Sequence, residues 1–150
     1  MRPLVPPPVV VVALGVAMWF THRWWPQGSV ESTWLAPIAL TLLGVGTLLL
    51  GAAGYAFFRH KTTINPLAPE RASKLITSGV YRVSLNPIYL ADLLLLAAFA
   101  VWLGNVINVV YLAMFMWIIN RFQIVAEEHA LNTRFGERYA AYCAKVRRWL

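Results

Sequence analysis

The segment WLAPIALTLLGVGTLLLGAAGYAFF, residues 34–58, runs for 25 residues without a charge. As a helix it extends about 37 Å at ~1.5 Å per residue, enough to cross a bilayer with some tilt. Nothing else in the chain restricts its fold as strongly, because lipid leaves the backbone only helices or closed barrels. Three further apolar segments accompany it, at 7–22, 87–103 and 106–125. With 59% hydrophobic and 13% charged residues, the chain is far more apolar than soluble domains, where charged residues make up ~25%. The expectation is an all-α integral membrane protein with four transmembrane helices.

The first segment, PLVPPPVVVVALGVAMWF, has the look of a signal peptide, but no small-x-small cleavage site follows it. Trp19, Trp24 and Trp25 instead form an interfacial aromatic belt, so a retained helix is expected, with Pro6 to Pro8 at its start. Within the second segment, GVGTLLLGAAG lacks the GxGxxG spacing and the preceding strand of a nucleotide loop. Gly44, Gly46, Gly51 and Gly54 are therefore read as helix-packing positions. Only Gly104-Asn105 separates the third segment from the fourth, which implies an antiparallel helical hairpin.

The net charge of +7 is not spread evenly. Arg59, Lys61, Arg71, Lys74 and Arg82 crowd residues 59–86, and Arg134, Arg138, Lys145, Arg147 and Arg148 crowd the tail. The 21–33 connection carries only Arg23. The positive-inside rule then puts the long loop, the tail and both termini in the cytoplasm, as in a multi-pass protein of a prokaryotic inner membrane. The basic segments suit lipid head groups, and no nucleic-acid module accompanies them. A lone Cys143 excludes a disulfide framework or a thiolate metal cluster. Phe135, Tyr139, Tyr142, Val146 and Trp149 recur at helical spacing, predicting a C-terminal amphipathic helix at the membrane surface or packed on the loop. Residues 1–58 supply two helices and 59–150 a core within one membrane domain.

Polar residues collect where the last two segments meet the cytoplasm. Asn120, Gln123 and Glu127, spaced i, i+3 and i+7, share a helix face, with Arg121 and Glu128 on the neighbouring one. Such acids are often only a solvated face, but polar groups at a membrane edge usually serve a cavity or partner. The hairpin brings Asn86 and Tyr89 towards them, and the 77–86 turn adds Tyr81. Asp92, one turn into the third segment, is either functional or a helix N-terminal carboxylate favoured by the dipole. His129 has no second histidine nearby, so no metal site is expected.

The strings SGVYRVSLNPIYL and NRFQIVAEEHALNTRFGERYAAYCAKVRRWL resemble the isoprenylcysteine carboxyl methyltransferase family, small prokaryotic type, with related patterns in phospholipid methyltransferases. The likeness covers roughly residues 60–150. It implies a membrane-embedded S-adenosylmethionine site, with S-adenosylhomocysteine as product. It also implicates Ser73, Lys74, Leu75, Ile76, Tyr81, Asn86, Pro87, Ile88, Tyr89 and Glu127 in cofactor binding. Eukaryotic members have Arg-His-Pro where this chain has Leu85-Asn86-Pro87, whereas Asn-Pro is familiar in the prokaryotic relatives. They also carry a substrate-linked arginine where this chain has Gln123, so a prenylcysteine carboxylate does not carry over. Asn120, Arg121 and Gln123 remain candidates for the acceptor side. The activity implied is methyl transfer to a lipid-like or amphipathic acceptor. Alternatives are a phospholipid amine or small-thiol methyltransferase, or a non-catalytic membrane scaffold.

Overall fold

The computed structural model describes residues 6–60 and 74–150, and Ser73 lies outside them. The described residues form helices and turns, with no strand beyond an isolated bridge between Ser29 and Asn105. The helices are α1 (Pro7–Trp24), α2 (Leu35–His60), α3 (Pro87–Leu103), α4 (Asn108–Ile119), α5 (Val125–Phe135) and α6 (Glu137–Cys143). Helix α2 and the continuous rod Asn108–Phe135 are long and apolar enough to cross a membrane.

Helix α3 is the hub. It packs against α1, α2 and α4, and its pairing with α2 is the most extensive. Small side chains make that pairing close: Ala39, Gly46, Ala53 and Ala56 are the buried residues of α2. The first three recur every seventh residue, which keeps them on one seam. A methyl group on Gly46 would stand 3.1 Å from Leu95 and 3.3 Å from the Ala91 carbonyl. Gly44, Gly51 and Gly54 have open space where a side chain would go. Of the four glycines read as packing positions, only Gly46 is in the interface, since one helix face alone meets α3.

Met18, Leu96, Phe115 and Ile119 knit α1, α3 and α4 into one core. Val9, Leu48, Phe58 and Trp117 point outward and are exposed, as suits a lipid-facing surface. The α3–α4 connection is longer than two residues, because α4 begins at Asn108. Gly104 ends α3 with φ +63°, the left-handed cap that glycine adopts without strain. Its carbonyl accepts the Val30 N–H at 2.7 Å, and the Asn105 amide donates to the Trp25 carbonyl at 2.9 Å. The hairpin turn is thus tied to the α1–α2 connection.

The tail departs from the continuous helix expected of it. Helix α6 stops at Cys143 after seven residues. Of the two placements expected, the aromatic stripe takes the one on the loop: Tyr139, Tyr142 and Val146 are buried with Ile76 and Tyr81, and with Ala53 of α2. Gly136, at φ +50°, makes the bend that directs α6 back onto that cluster.

Candidate functional site

The site is built where α3 begins. Pro87 occupies the first turn of α3, where its missing N–H costs nothing. A short 3-10 turn at Gly79–Arg82 precedes it, and the residues between, Ser84 to Asn86, are stitched to the tail. The Leu85 N–H donates to the Arg147 carbonyl at 2.9 Å. The Asn86 side-chain amide donates to the Arg148 carbonyl at 3.0 Å, and Ser84 Oγ reaches the same carbonyl at 3.4 Å. The tail is anchored in turn. Arg148 forms two parallel bonds to Glu128, at 2.9 and 2.8 Å, and Trp149 donates to Asn120 Oδ1 at 3.3 Å.

A π-helical turn at Asn120–Ile124 joins α4 to α5. Such turns insert a residue into the helix and recur at functional sites. The turn takes Asn120 off the expected i, i+3, i+7 face, while Gln123 and Glu127 both stay beside the Tyr89 side chain. Gln123 and Ile124 both become buried, Asn120 turns to Trp149, and Arg121 is exposed over the Phe122 ring. Beyond the turn, Glu127 reaches back to α3 and accepts a hydrogen bond from the Tyr89 hydroxyl.

These elements enclose a cavity of about 540 Å³, within the ~300–1,000 Å³ of small-molecule sites. Lys74, Leu75, Ile76, Tyr81, Asn86, Pro87, Ile88, Tyr89 and Glu127 all line it. Asn120, Arg121 and Gln123 do not, although Gln123 is buried within the rod just before Glu127. One part of the wall is polar: Asn86, Tyr89, Asp92, Glu127 and Glu128. Another is apolar and comes from helices outside the resemblance, through Pro7, Val11 and Val12 of α1 and Leu50 and Phe57 of α2.

The tyrosines of α6 also belong to this wall. Tyr139 and Tyr142 line the cavity, and the Tyr142 hydroxyl donates to the Tyr81 carbonyl. Tyr81 stacks edge-on against Phe57 with ring centres 5.8 Å apart. Burial raises the Tyr81 and Tyr142 phenols above their ordinary range, so both are neutral. Sequence periodicity marks Tyr139 and Tyr142 as packing residues; their place at a cavity depends on the bend at Gly136.

Chemically, the polar wall offers a carboxylate at Glu127 with a phenol already in place, and faces of Tyr81 and Tyr89. A carboxylate can hold an ammonium or a pair of hydroxyls by charge-assisted bonds. Aromatic faces favour a cation, a sulfonium included. The donor set fits a cationic cofactor carrying hydroxyl groups.

The phospholipid methyltransferase family model matches residues 34–138, from the start of α2 into α6. An uncharacterized protein of Haemophilus influenzae is 47% identical over 62 residues, which is 41% of this chain and 98% of that protein. Protein-S-isoprenylcysteine O-methyltransferase A of Arabidopsis thaliana is 29% identical over 119 residues, 79% of this chain and 60% of that protein. A probable protein-S-isoprenylcysteine O-methyltransferase of Oryza sativa subsp. indica is 28% identical over 116 residues, 77% of this chain and 61% of that protein. The chain therefore spans about three-fifths of the length of these plant relatives. No solved structure matches it significantly.

Proposed function

The chain belongs to the phospholipid methyltransferase family, and from that premise we propose that it methylates an amphipathic acceptor with S-adenosylmethionine. The observation that carries this reading is a single cavity with two unlike walls. Glu127 and Tyr89 supply a polar wall, while α1 and α2 supply an apolar one. The cofactor, when bound, supplies a methyl group on a positively charged sulfur. Glu127 binds its ammonium or hydroxyls, with Tyr89 holding the carboxylate in place. Tyr81 and Tyr89 present aromatic faces to the positive charge. Asn86 acts at one remove, since its amide is committed to the Arg148 carbonyl and so fixes the start of α3. The apolar wall admits the acceptor's chain from the bilayer and keeps water from the reacting atoms, which favours an in-line displacement.

This reading needs a saturable cofactor site. Purified full-length protein in detergent should bind S-adenosylhomocysteine with one-to-one stoichiometry in calorimetry. No heat at millimolar ligand would leave a membrane scaffold of the same fold as the better account.

We also propose four crossings, with the site at the cytoplasmic face. Arg59, Lys74 and Arg82, with the basic residues of the tail, lie at the end of the bundle that holds the cavity, and the Gly28 and Gly104 turns at the other. In a Cys143→Ala background, a cysteine at Gln27 should react with an impermeant maleimide from outside intact cells. A cysteine at Lys145 should react only after permeabilisation. Labelling of both from one side would sink the topology.

A further inference from the structure

The tail forms a second recess, on the other side of the wall it shares with the cavity. A groove of about 700 Å³ lies between α5 and the residues that follow α6. Lys145, Arg147 and Arg148 line it from the tail, and His129 and Asn132 from α5. Those two α5 residues are three apart and so share a helix face. Helix α6 ends at Cys143, and beyond it Val146 is buried while Lys145 and Arg147 on either side are exposed. One anchored residue therefore turns both basic side chains outward.

Among the described residues, Glu128 is the one acid lining the groove, and Arg148 already binds both of its oxygens, at 2.9 and 2.8 Å. The side chains of Lys145 and Arg147 make no hydrogen bond or ion pair among the described residues. Two cations facing one recess repel each other, and a bound anion removes that repulsion. A guanidinium beside an ammonium, with the Asn132 amide as a further donor, suits the several oxygens of a phosphate. The height of the groove on the rod Asn108–Phe135 indicates the source of that phosphate. Val125, which is exposed, lines one end of the groove, and His129 stands one turn further on. At ~1.5 Å per residue, Val125 lies roughly 26 Å and His129 roughly 32 Å along the rod from Asn108. A hydrocarbon core is ~30 Å deep, so the groove crosses its edge, apolar below and basic at head-group level. A lipid uses both ends, whereas a free phosphate uses only the basic one.

Resting on the methyl transfer proposed above, we infer that this groove holds the phosphate of an anionic phospholipid that is not itself methylated, and that its binding tightens the cofactor site. The coupling runs through the main chain. The Arg147 carbonyl accepts the Leu85 N–H, and the Arg148 carbonyl accepts the Asn86 amide. A phosphate that draws Lys145 and Arg147 together fixes the residues whose carbonyls hold Ser84 to Asn86, which lead into Tyr89. Less ordering is then left for the cofactor to impose. By linkage, the cofactor strengthens lipid binding by the same factor.

Native mass spectrometry of the full chain in detergent tests the site without the cofactor. Wild-type protein should retain phosphatidylglycerol about tenfold more tightly, or ~1.4 kcal/mol, than phosphatidylcholine with the same acyl chains. Lys145→Gln combined with Arg147→Gln should abolish that advantage. Arg138→Gln, at an exposed basic residue outside the groove, should keep it. The coupling is read in lipid nanodiscs. S-adenosylhomocysteine should bind about fivefold more tightly, or ~1 kcal/mol, in discs of mixed phosphatidylcholine and phosphatidylglycerol than in phosphatidylcholine alone. The double variant should show no such difference. Equal retention of the two lipids by wild-type protein, or an undiminished preference in the double variant, overturns the site. Equal S-adenosylhomocysteine affinity in the two discs overturns the coupling. A gain reproduced by millimolar inorganic phosphate in phosphatidylcholine discs overturns the lipid as its source. Should the double variant fail to fold, the wild-type lipid comparison decides alone. Protein that prefers phosphatidylglycerol but binds no S-adenosylhomocysteine in either disc would instead remove the methyl-transfer reading and keep the lipid site.

Discussion

Glu127→Gln should weaken S-adenosylhomocysteine binding by roughly ten- to a hundredfold, the equivalent of about 1.5–3 kcal/mol for one charged hydrogen bond. The substitution is mild for the fold, because a glutamine oxygen still accepts the Tyr89 hydroxyl that Glu127 accepts now. What it removes is the charge in the cavity wall. Glu128→Gln is the matched control. Its carboxylate is held by the Arg148 guanidinium through two bonds, at 2.9 and 2.8 Å. Its loss should therefore loosen the tail slightly and change cofactor affinity by less than about threefold, within the ~0–1 kcal/mol of an exposed pair. Titration calorimetry on the two purified variants gives the comparison. Equal and small effects would mean that both glutamates are surface charges.

Deleting Arg147–Leu150 should cost more cofactor affinity than any single substitution outside the cavity. Four residues go, and none of them carries the chemistry. Yet Leu85 loses the Arg147 carbonyl, Ser84 and Asn86 lose the Arg148 carbonyl, and Asn120 loses Trp149. At about 0.5–1.5 kcal/mol for each bond, the four together supply roughly 2–6 kcal/mol of restraint, and three of them hold the strip leading into Tyr89. Binding should fall by at least about thirtyfold, or ~2 kcal/mol, while circular dichroism retains the helices. Arg148→Ala separates the causes. It removes the Glu128 pair but keeps both main-chain carbonyls, so its effect should stay within about fivefold, or ~1 kcal/mol. If the deletion binds S-adenosylhomocysteine like the intact chain, the tail is decoration and Asn86 needs another role.

Much of this arrangement was legible in the residue order, for reasons tied to particular positions. The third segment was expected at 87–103 and α3 is Pro87–Leu103, because Asn86-Pro87 and Gly104 are strong helix boundaries. The second was expected at 34–58 and α2 is Leu35–His60. The motif residues from Lys74 to Tyr89 meet Glu127 around one cavity because a hairpin must return the end of one helix to the start of the other. The face assigned to Asn120, Gln123 and Glu127 was read for a regular 3.6-residue helix. The π-helical turn at Asn120–Ile124 adds a residue to the ladder, and no local preference in NRFQI announces it.

Hydrophobic length and helix-boundary residues act locally, which is why sequence alone determined helices for the described residues, the limits of the second and third apolar segments and the motif strings of its family. Tertiary structure decided everything that depends on which surfaces touch. It selected Gly46 from four similar glycines, because only that one faces Ala91 and Leu95 across the α2–α3 seam. It chose between the two placements open to the aromatic stripe of the tail, setting it on Ile76 and Tyr81 of the loop and so in the cavity wall, through the bend at Gly136. It also left Asp92 facing the cavity with no hydrogen bond or ion pair among the described residues, while Glu127 and Glu128 found partners. The physical reason is common to all three: a side chain's neighbours across a helix interface are set by packing between segments distant in the chain, and no local spacing encodes them.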